Sequence, residues 1–242
     1  MASDEGETIR KRSGWIVPIA VFVITAALSA LFLLFYLAPE PASLVEERAT
    51  PTDRSDPVSL QVAGMKMIVP ANYIRFASVR NGGKFKDVSL YATFPDFRGY
   101  TGWEAQTFSG NAADSPVIFY LIREENVNLS EEERFKRIYL SYVTDPSGTA
   151  GPFGLRQYTF RDDSGYRGED LFVGTSSGQP VVMRCVRFSE NVPSPSCLRD
   201  VRLGKRVALS YRFKRALLGR WQEIADGSTK LIQGFKSRAK ED

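Results

Sequence analysis

Two groups of residues in this chain have types and spacings suited to chemistry. One is Gly174-Thr175-Ser176-Ser177-Gly178, and the other is the carboxylate set Asp162, Asp163, Glu169 and Asp170. The first has the Gly-x-Ser-x-Gly spacing of a nucleophile elbow, in which a serine on a strand-to-helix turn is activated by histidine. There is no histidine among the 242 residues. Ser-His-Asp and Cys-His catalysis are therefore excluded, with most zinc and haem ligation and imidazole pH switching. The segment also separates two strand-like runs, so it reads as a Gly/Ser turn. Serine–lysine chemistry survives the loss of histidine, but the only Ser-x-x-Lys is Ser237 to Lys240, in a charged tail where nothing lowers a lysine pKa.

The four carboxylates surround Gly165 and Gly168. They could pair as acid and base, as in glycoside cleavage, or hold a hard cation. A solvated hairpin tip calls for the same residues. Gly148, Gly151 and Gly154 are neither spaced nor placed as a phosphate loop or dinucleotide fingerprint. No catalytic residue, metal or cofactor is expected. Two function classes remain: a binding or structural module, and a histidine-independent envelope enzyme working through those carboxylates on a substrate such as a glycan.

Position in the cell follows from the start of the chain. Trp15 to Leu37 is a run of 23 residues with no charged side chain, directly after Arg10-Lys11-Arg12. As a helix it reaches roughly 35 Å, enough to cross a hydrocarbon core of about 30 Å. Trp15 and Tyr36 stand at its ends, where amphipathic rings favour the headgroup level. The run is longer than the apolar core of a signal peptide, and its exit, Tyr36-Leu37-Ala38-Pro39, lacks a small-x-small cleavage site. Residues 15–37 are thus expected to be an uncleaved anchor in the bilayer. The basic residues before Trp15 are expected to keep residues 1–14 in the cytoplasm and to send the rest across.

The exported part holds both cysteines, Cys185 and Cys197. An even count in an oxidising compartment points to a disulfide, contributing about 3 kcal/mol through loop closure. Two cysteines without histidine do not complete a zinc site. Residues 182–242 carry 14 Lys/Arg against 6 Asp/Glu, so the last quarter is basic. Arg202, Lys205, Arg206, Arg212, Lys214 and Arg215 could face an anionic lipid surface, an acidic envelope polymer or an acidic partner such as an envelope protein, although strand residues of this kind also make an ordinary solvated face. No nucleic-acid partner is expected. Phe97, Tyr100 and Trp103, in a Gly-rich stretch 95–115, form a second candidate interaction surface if exposed, or a satellite core if folded inward.

Residues 38–57 hold four prolines among small and charged residues and read as a tether. A domain over 58–236 follows, with 237–242 as a charged tail. Val58, Leu60 and Val62 alternate up to Ala63-Gly64, and Met65, Met67 and Val69 alternate away, predicting a hairpin. A second hairpin is predicted about Asn81-Gly82-Gly83, joining 73–79 to 85–94. Residues 116–122 read as a central strand. Ser130 with Glu133 predicts a capping box opening a short helix. Further strands are predicted at 155–161, 170–175, 180–188 and 206–214, then a closing helix carrying Leu217, Trp221, Ile224, Leu231, Ile232 and Phe235. The fold class is therefore α+β: a mainly antiparallel sheet with one short internal helix and a C-terminal helix packed on it.

Several stretches resemble an uncharacterised group of membrane-anchored proteins of alphaproteobacteria, including rhizobia. They are Pro70-Ala71-Asn72-Tyr73-Ile74-Arg75-Phe76, Cys185 with Cys197-Leu198-Arg199-Asp200, and Tyr211-Arg212-Phe213 followed by Leu217-Leu218 and Trp221. The resemblance implies a single-pass bacterial inner-membrane protein whose C-terminal domain faces the periplasm, and it implies no reaction. The hairpin-rich sheet with its final helix is also similar to small periplasmic domains of the PsbP type, by fold analogy alone.

Overall fold

The computed structural model describes residues 14–37, 48–127 and 129–241, in two units, Met1–Glu47 and Arg48–Asp242. Most of the expected cytoplasmic segment (1–13) and half of the expected tether (38–47) lie outside the described residues.

In the first unit, helix α1 spans Ile16–Leu37 and contains a 19-residue stretch, Ile16–Leu34, long and apolar enough to cross a membrane. Its apolar residues form no single stripe, as a lipid-facing rod requires. The Thr25 hydroxyl donates to the Val21 carbonyl at 2.8 Å, so this polar group is satisfied within the helix.

The second unit begins with residues 48–56 laid against the domain. Thr50 N–H donates to the Arg75 carbonyl at 3.2 Å, and Ala71 N–H donates to the Asp56 carbonyl at 2.9 Å. Strands β1 (Pro57–Val62) and β2 (Met65–Pro70) form the hairpin that the alternation predicts, pairing Val58 with Val69, Leu60 with Met67 and Val62 with Met65. Its two-residue turn places Ala63 and Gly64 at positive φ, as a type I′ turn demands.

The second predicted hairpin does not form. Residues 71–73 and 78–81 are short 3-10 turns, and strand β3 (Gly83–Phe85) instead pairs parallel with β1. Gly82 decides this, because its φ of 74° carries the chain so close to β1 that a Cβ there would sit 3.0 Å from the Ser59 carbonyl.

Thereafter come β4 (Asp87–Thr93), α2 (Ala105–Ser109), β5 (Val117–Glu124), α3 (Glu131–Arg137), β6 (Thr149–Ala150) and β7 (Arg156–Thr159). They are followed by β8 (Glu169–Ser176), β9 (Gln179–Val186), β10 (Ser196–Arg202), β11 (Val207–Lys214) and α4 (Trp221–Glu241). Ser130 caps α3 with the full capping box: its side chain accepts from Glu133 N–H, and the Glu133 carboxylate accepts from Ser130 N–H. Helix α4 runs through residues 237–241, which composition alone marks as a tail.

The fold is α+β. Strands β4-β5-β11-β10-β9-β8-β7-β6 make one eight-stranded sheet, antiparallel at every pairing, and β2-β1-β3 make a small second sheet. Alternate residues divide the large sheet into two faces. On the first, Leu90, Ile118, Ile122, Leu209 and Phe213 pack under Leu60 and Met67 of the hairpin and under Trp221, Ile224 and Phe235 of α4. A Cβ at Gly174 would lie 2.7 Å from the Trp221 ring, so glycine is required where α4 begins to cross β8. The second face is covered at its β7–β9 end, where Tyr139, Val143, Tyr158, Phe160, Leu171 and Val182 form a smaller core, and at its β4 end, where Tyr91 is buried against Phe108.

Candidate functional site

The rest of the second face is a groove of about 840 Å³. Its floor follows from period-two alternation. Ser196, Leu198 and Asp200 of β10 stand opposite Lys214, Arg212 and Ser210 of β11, and Arg212 and Ser210 stand opposite Phe119 and Leu121 of β5. Arg134 of α3 and Arg184 of β9 line it, as do Arg75, Arg123 and the polar groups of Asn111 and Ser194. The lining thus holds six cations and one carboxylate, Asp200.

Some of these charges are occupied. Arg184 pairs with Glu169 at 2.7 Å and lies over the Tyr166 ring, 5.0 Å from its centroid. Arg123 donates to the Ser210 hydroxyl at 2.9 Å and to Glu125 at 3.4 Å, with Asp200 4.0 Å away. Arg75 stacks against Phe76 and Phe119.

Others are spare. Among the described residues Lys214 Nζ donates to neutral groups alone: the Ser194 hydroxyl at 2.6 Å, the Ser194 carbonyl at 3.5 Å and the Asn111 side-chain oxygen. Burial, then the like charge of Arg212, hold its ammonium below the usual lysine range. Arg212 is exposed, and Arg134 has a buried Nε–H without a hydrogen-bond partner; neither has a carboxylate within 4.0 Å among the described residues. Guanidinium groups in this state offer two-point hydrogen bonding to a carboxylate or phosphate.

The sequence-derived candidates are dispersed. Cys185 and Cys197 face each other across β9 and β10 and are disulfide-bonded, with Cα atoms 3.9 Å apart. Phe97 turns inward to meet Phe94 at 5.9 Å, and Tyr100 packs on Phe108, which packs on Tyr91. Only Trp103 of that aromatic set is presented to solvent, at 99% exposure. Arg202 pairs with Glu133 at 3.3 Å, Arg206 pairs with Glu124, and Lys205 is exposed at the β10–β11 turn. Those three lie outside the groove, whereas Arg212 and Lys214 form part of it. Arg215 turns away, donating to Asp170 at 2.6 Å and to the Val186 carbonyl at 2.9 Å.

The carboxylates do not converge. Asp162 and Asp163 are exposed, Asp163 beside Arg161. Glu169 and Asp170 point to opposite faces of β8, the first held by Arg184 and the second by Arg187 and Arg215. Ser176 ends β8 at a turn into β9, with Ser177 and Gly178 at positive φ, so no helix follows it. Ser176 donates to Asp226 of α4 at 2.8 Å and Ser177 does so at 3.2 Å.

The residues missed by sequence reading are Arg75, Arg123, Arg134 and Arg184. They lie on four separate segments, and the outward positions Ser210-x-Arg212-x-Lys214 were the one local trace of the groove.

No family model and no curated protein matches this chain. Among solved structures, it is similar to Smlt3025, an immunity protein of the Stenotrophomonas maltophilia type IV secretion system. The match has a TM-score of 0.53 at 14% identity and covers 79% of this chain and 99% of that one. The iron-regulated outer membrane lipoprotein FrpD of Neisseria meningitidis also matches, with a TM-score of 0.45 at 14% identity, over 80% of this chain and 97% of that one.

Proposed function

We propose that this chain is a single-pass protein of a bacterial inner membrane that holds a binding module in the periplasm, with its N-terminus in the cytoplasm. The observation that carries the binding role is the groove, an uncovered part of a sheet face furnished with more cations than the protein itself neutralises. A structural face would pair or solvate its charges, whereas here Lys214 is buried without a carboxylate and Arg134 keeps a buried N–H unpaired beside exposed Arg212. The apolar rod of α1 and the disulfide support the placement, since cysteine pairs persist in oxidising compartments. The use of a similar fold as an immunity protein supports an interaction role.

The carboxylate-based enzyme gains no support, because Glu169 and Asp170 are each tied to arginine on opposite faces. The reading is tested on the full-length protein in bacterial membranes. Expected are resistance to alkaline extraction, protease sensitivity of residues 48–242 only after the outer membrane is opened, and thiols alkylated only after reduction. Recovery in the cytosol, or free thiols in the native protein, would overturn it.

A further inference from the structure

We infer that the groove binds an extended acidic segment of a partner protein, with carboxylates at alternate positions and apolar residues beside them. This rests on the binding-module reading and names the chemistry of its ligand.

Three features favour a peptide over other anions. First, Arg212 and Lys214 are two residues apart on one strand and face the same way, so their Cα atoms stand about 6.6 Å apart. Alternate side chains of an extended peptide repeat at that same distance, so a Glu-x-Glu run sets one carboxylate on exposed Arg212 and the next towards the buried, carboxylate-free charge of Lys214. Second, the cations stand beside apolar groups: Arg212 lies between Leu198 and Phe119 in the sheet, with Leu121 one pair further on. A polyphosphate or sulfated glycan gains nothing from that apolar floor, whereas a peptide side chain does. Third, the hydroxyls of Ser89 and Ser196 supply neutral donors and acceptors in the lining, suited to main-chain amides. The volume of about 840 Å³ is room for a few residues of extended chain.

The test uses the full-length protein in nanodiscs of zwitterionic lipid and fluorescence anisotropy of labelled probes. The probes are an alternating Leu-Glu octapeptide, Ser-Glu and Leu-Gln octapeptides, and inorganic polyphosphate. The Leu-Glu probe is expected to bind at least fivefold more tightly than Ser-Glu and at least tenfold more tightly than Leu-Gln, and to weaken as salt rises. Arg212→Glu is expected to weaken it at least tenfold, and Leu198→Ser to weaken it severalfold while leaving polyphosphate unchanged. Arg212 is exposed, so its replacement spares the fold, and Lys205→Glu outside the groove serves as the charge control with no expected effect.

Polyphosphate binding that matches Leu-Glu and is lost in Arg212→Glu would overturn the peptide ligand and leave the binding module standing. Leu-Glu binding unaffected by Arg212→Glu would overturn the groove as its site. Failure of every probe to bind would overturn the peptide inference; failure of the anchored, oxidised placement shows separately, in the extraction and thiol assays.

Discussion

Arg199 and Glu131, 68 residues apart in sequence, form a two-point ion pair with Nε–Oε1 at 2.8 Å and Nη2–Oε2 at 2.7 Å. Strand β10 pairs with β9 only as far as Arg199 opposite Met183. Beyond that point the Val182 N–H has no strand partner and donates to Glu131 Oε1 at 3.0 Å instead. Arg199 Nη1 donates to the Tyr211 hydroxyl at 2.9 Å, so one carboxylate closes the seam between two diverging strands and fixes α3, which lends Arg134 to the groove.

Removing that carboxylate leaves a guanidinium buried and uncompensated, because both partners are almost inaccessible, at 5% and 10% side-chain exposure. Glu131→Gln is therefore expected to destabilise the protein by about 3–5 kcal/mol in urea unfolding. A loss below about 1 kcal/mol would mean that water reaches the seam.

Two buried tyrosines set an alkaline limit. Burial pushes the Tyr211 hydroxyl up to about 12, against the opposing pull of Arg199. Tyr120, bonded to Ser228 at 3.0 Å, is raised as well, again by burial. Both groups stay neutral in the fold at pH values where the unfolded chain releases their protons. Their contribution to stability is complete below about pH 10 and falls as pH rises towards 12. For Tyr211 alone the loss by pH 12 is on the order of 2 kcal/mol. Unfolding midpoints followed between pH 9 and 12 check this, and Tyr211→Phe should flatten the slope.

At Gly227 in α4, helix propensity and packing oppose each other. Alanine there would gain about 1 kcal/mol from propensity. A Cβ at that position, however, would lie 2.1 Å from the Phe97 ring, whose residue has a φ of 53° and whose ring packs against Phe94. Overpacking of this kind costs about 1–3 kcal/mol. Gly227→Ala is expected to lower the thermal midpoint and to increase protease cleavage within 95–110; a raised midpoint would show that the ring moves freely.

The disulfide closes a 12-residue separation between neighbouring strands, β9 and β10, whose pairing is only three residues long. Replacing both cysteines by serine is expected to destabilise the fold by about 3 kcal/mol. Since β10 carries Leu198 and Asp200 into the groove, the Leu-Glu probe should weaken in the same variant. Unchanged urea unfolding in the double variant would contradict the first expectation.

Local patterns determined a good deal by themselves. The charge-free run of Trp15–Leu37 specified a membrane-length helix, because length and apolarity are all that such an element needs. The Val58–Val69 alternation specified its hairpin register, since a one-residue slip would turn every apolar side chain to the wrong face. Ser130 and Glu133 specified a helix start through a contact only three residues long. Tertiary structure alone decided the partnering of β3 with β1, because that depends on how closely Gly82 can approach Ser59. It also decided which basic residues act together. Arg212 and Arg215 look alike in sequence, yet one stands within β11 facing an open groove and the other, in the 3-10 turn that follows β11, is spent on Asp170. A groove assembled from β4, β5, β9, β10, β11 and α3 leaves no run of residues to read, because the sheet order that joins them is set by packing over the whole core.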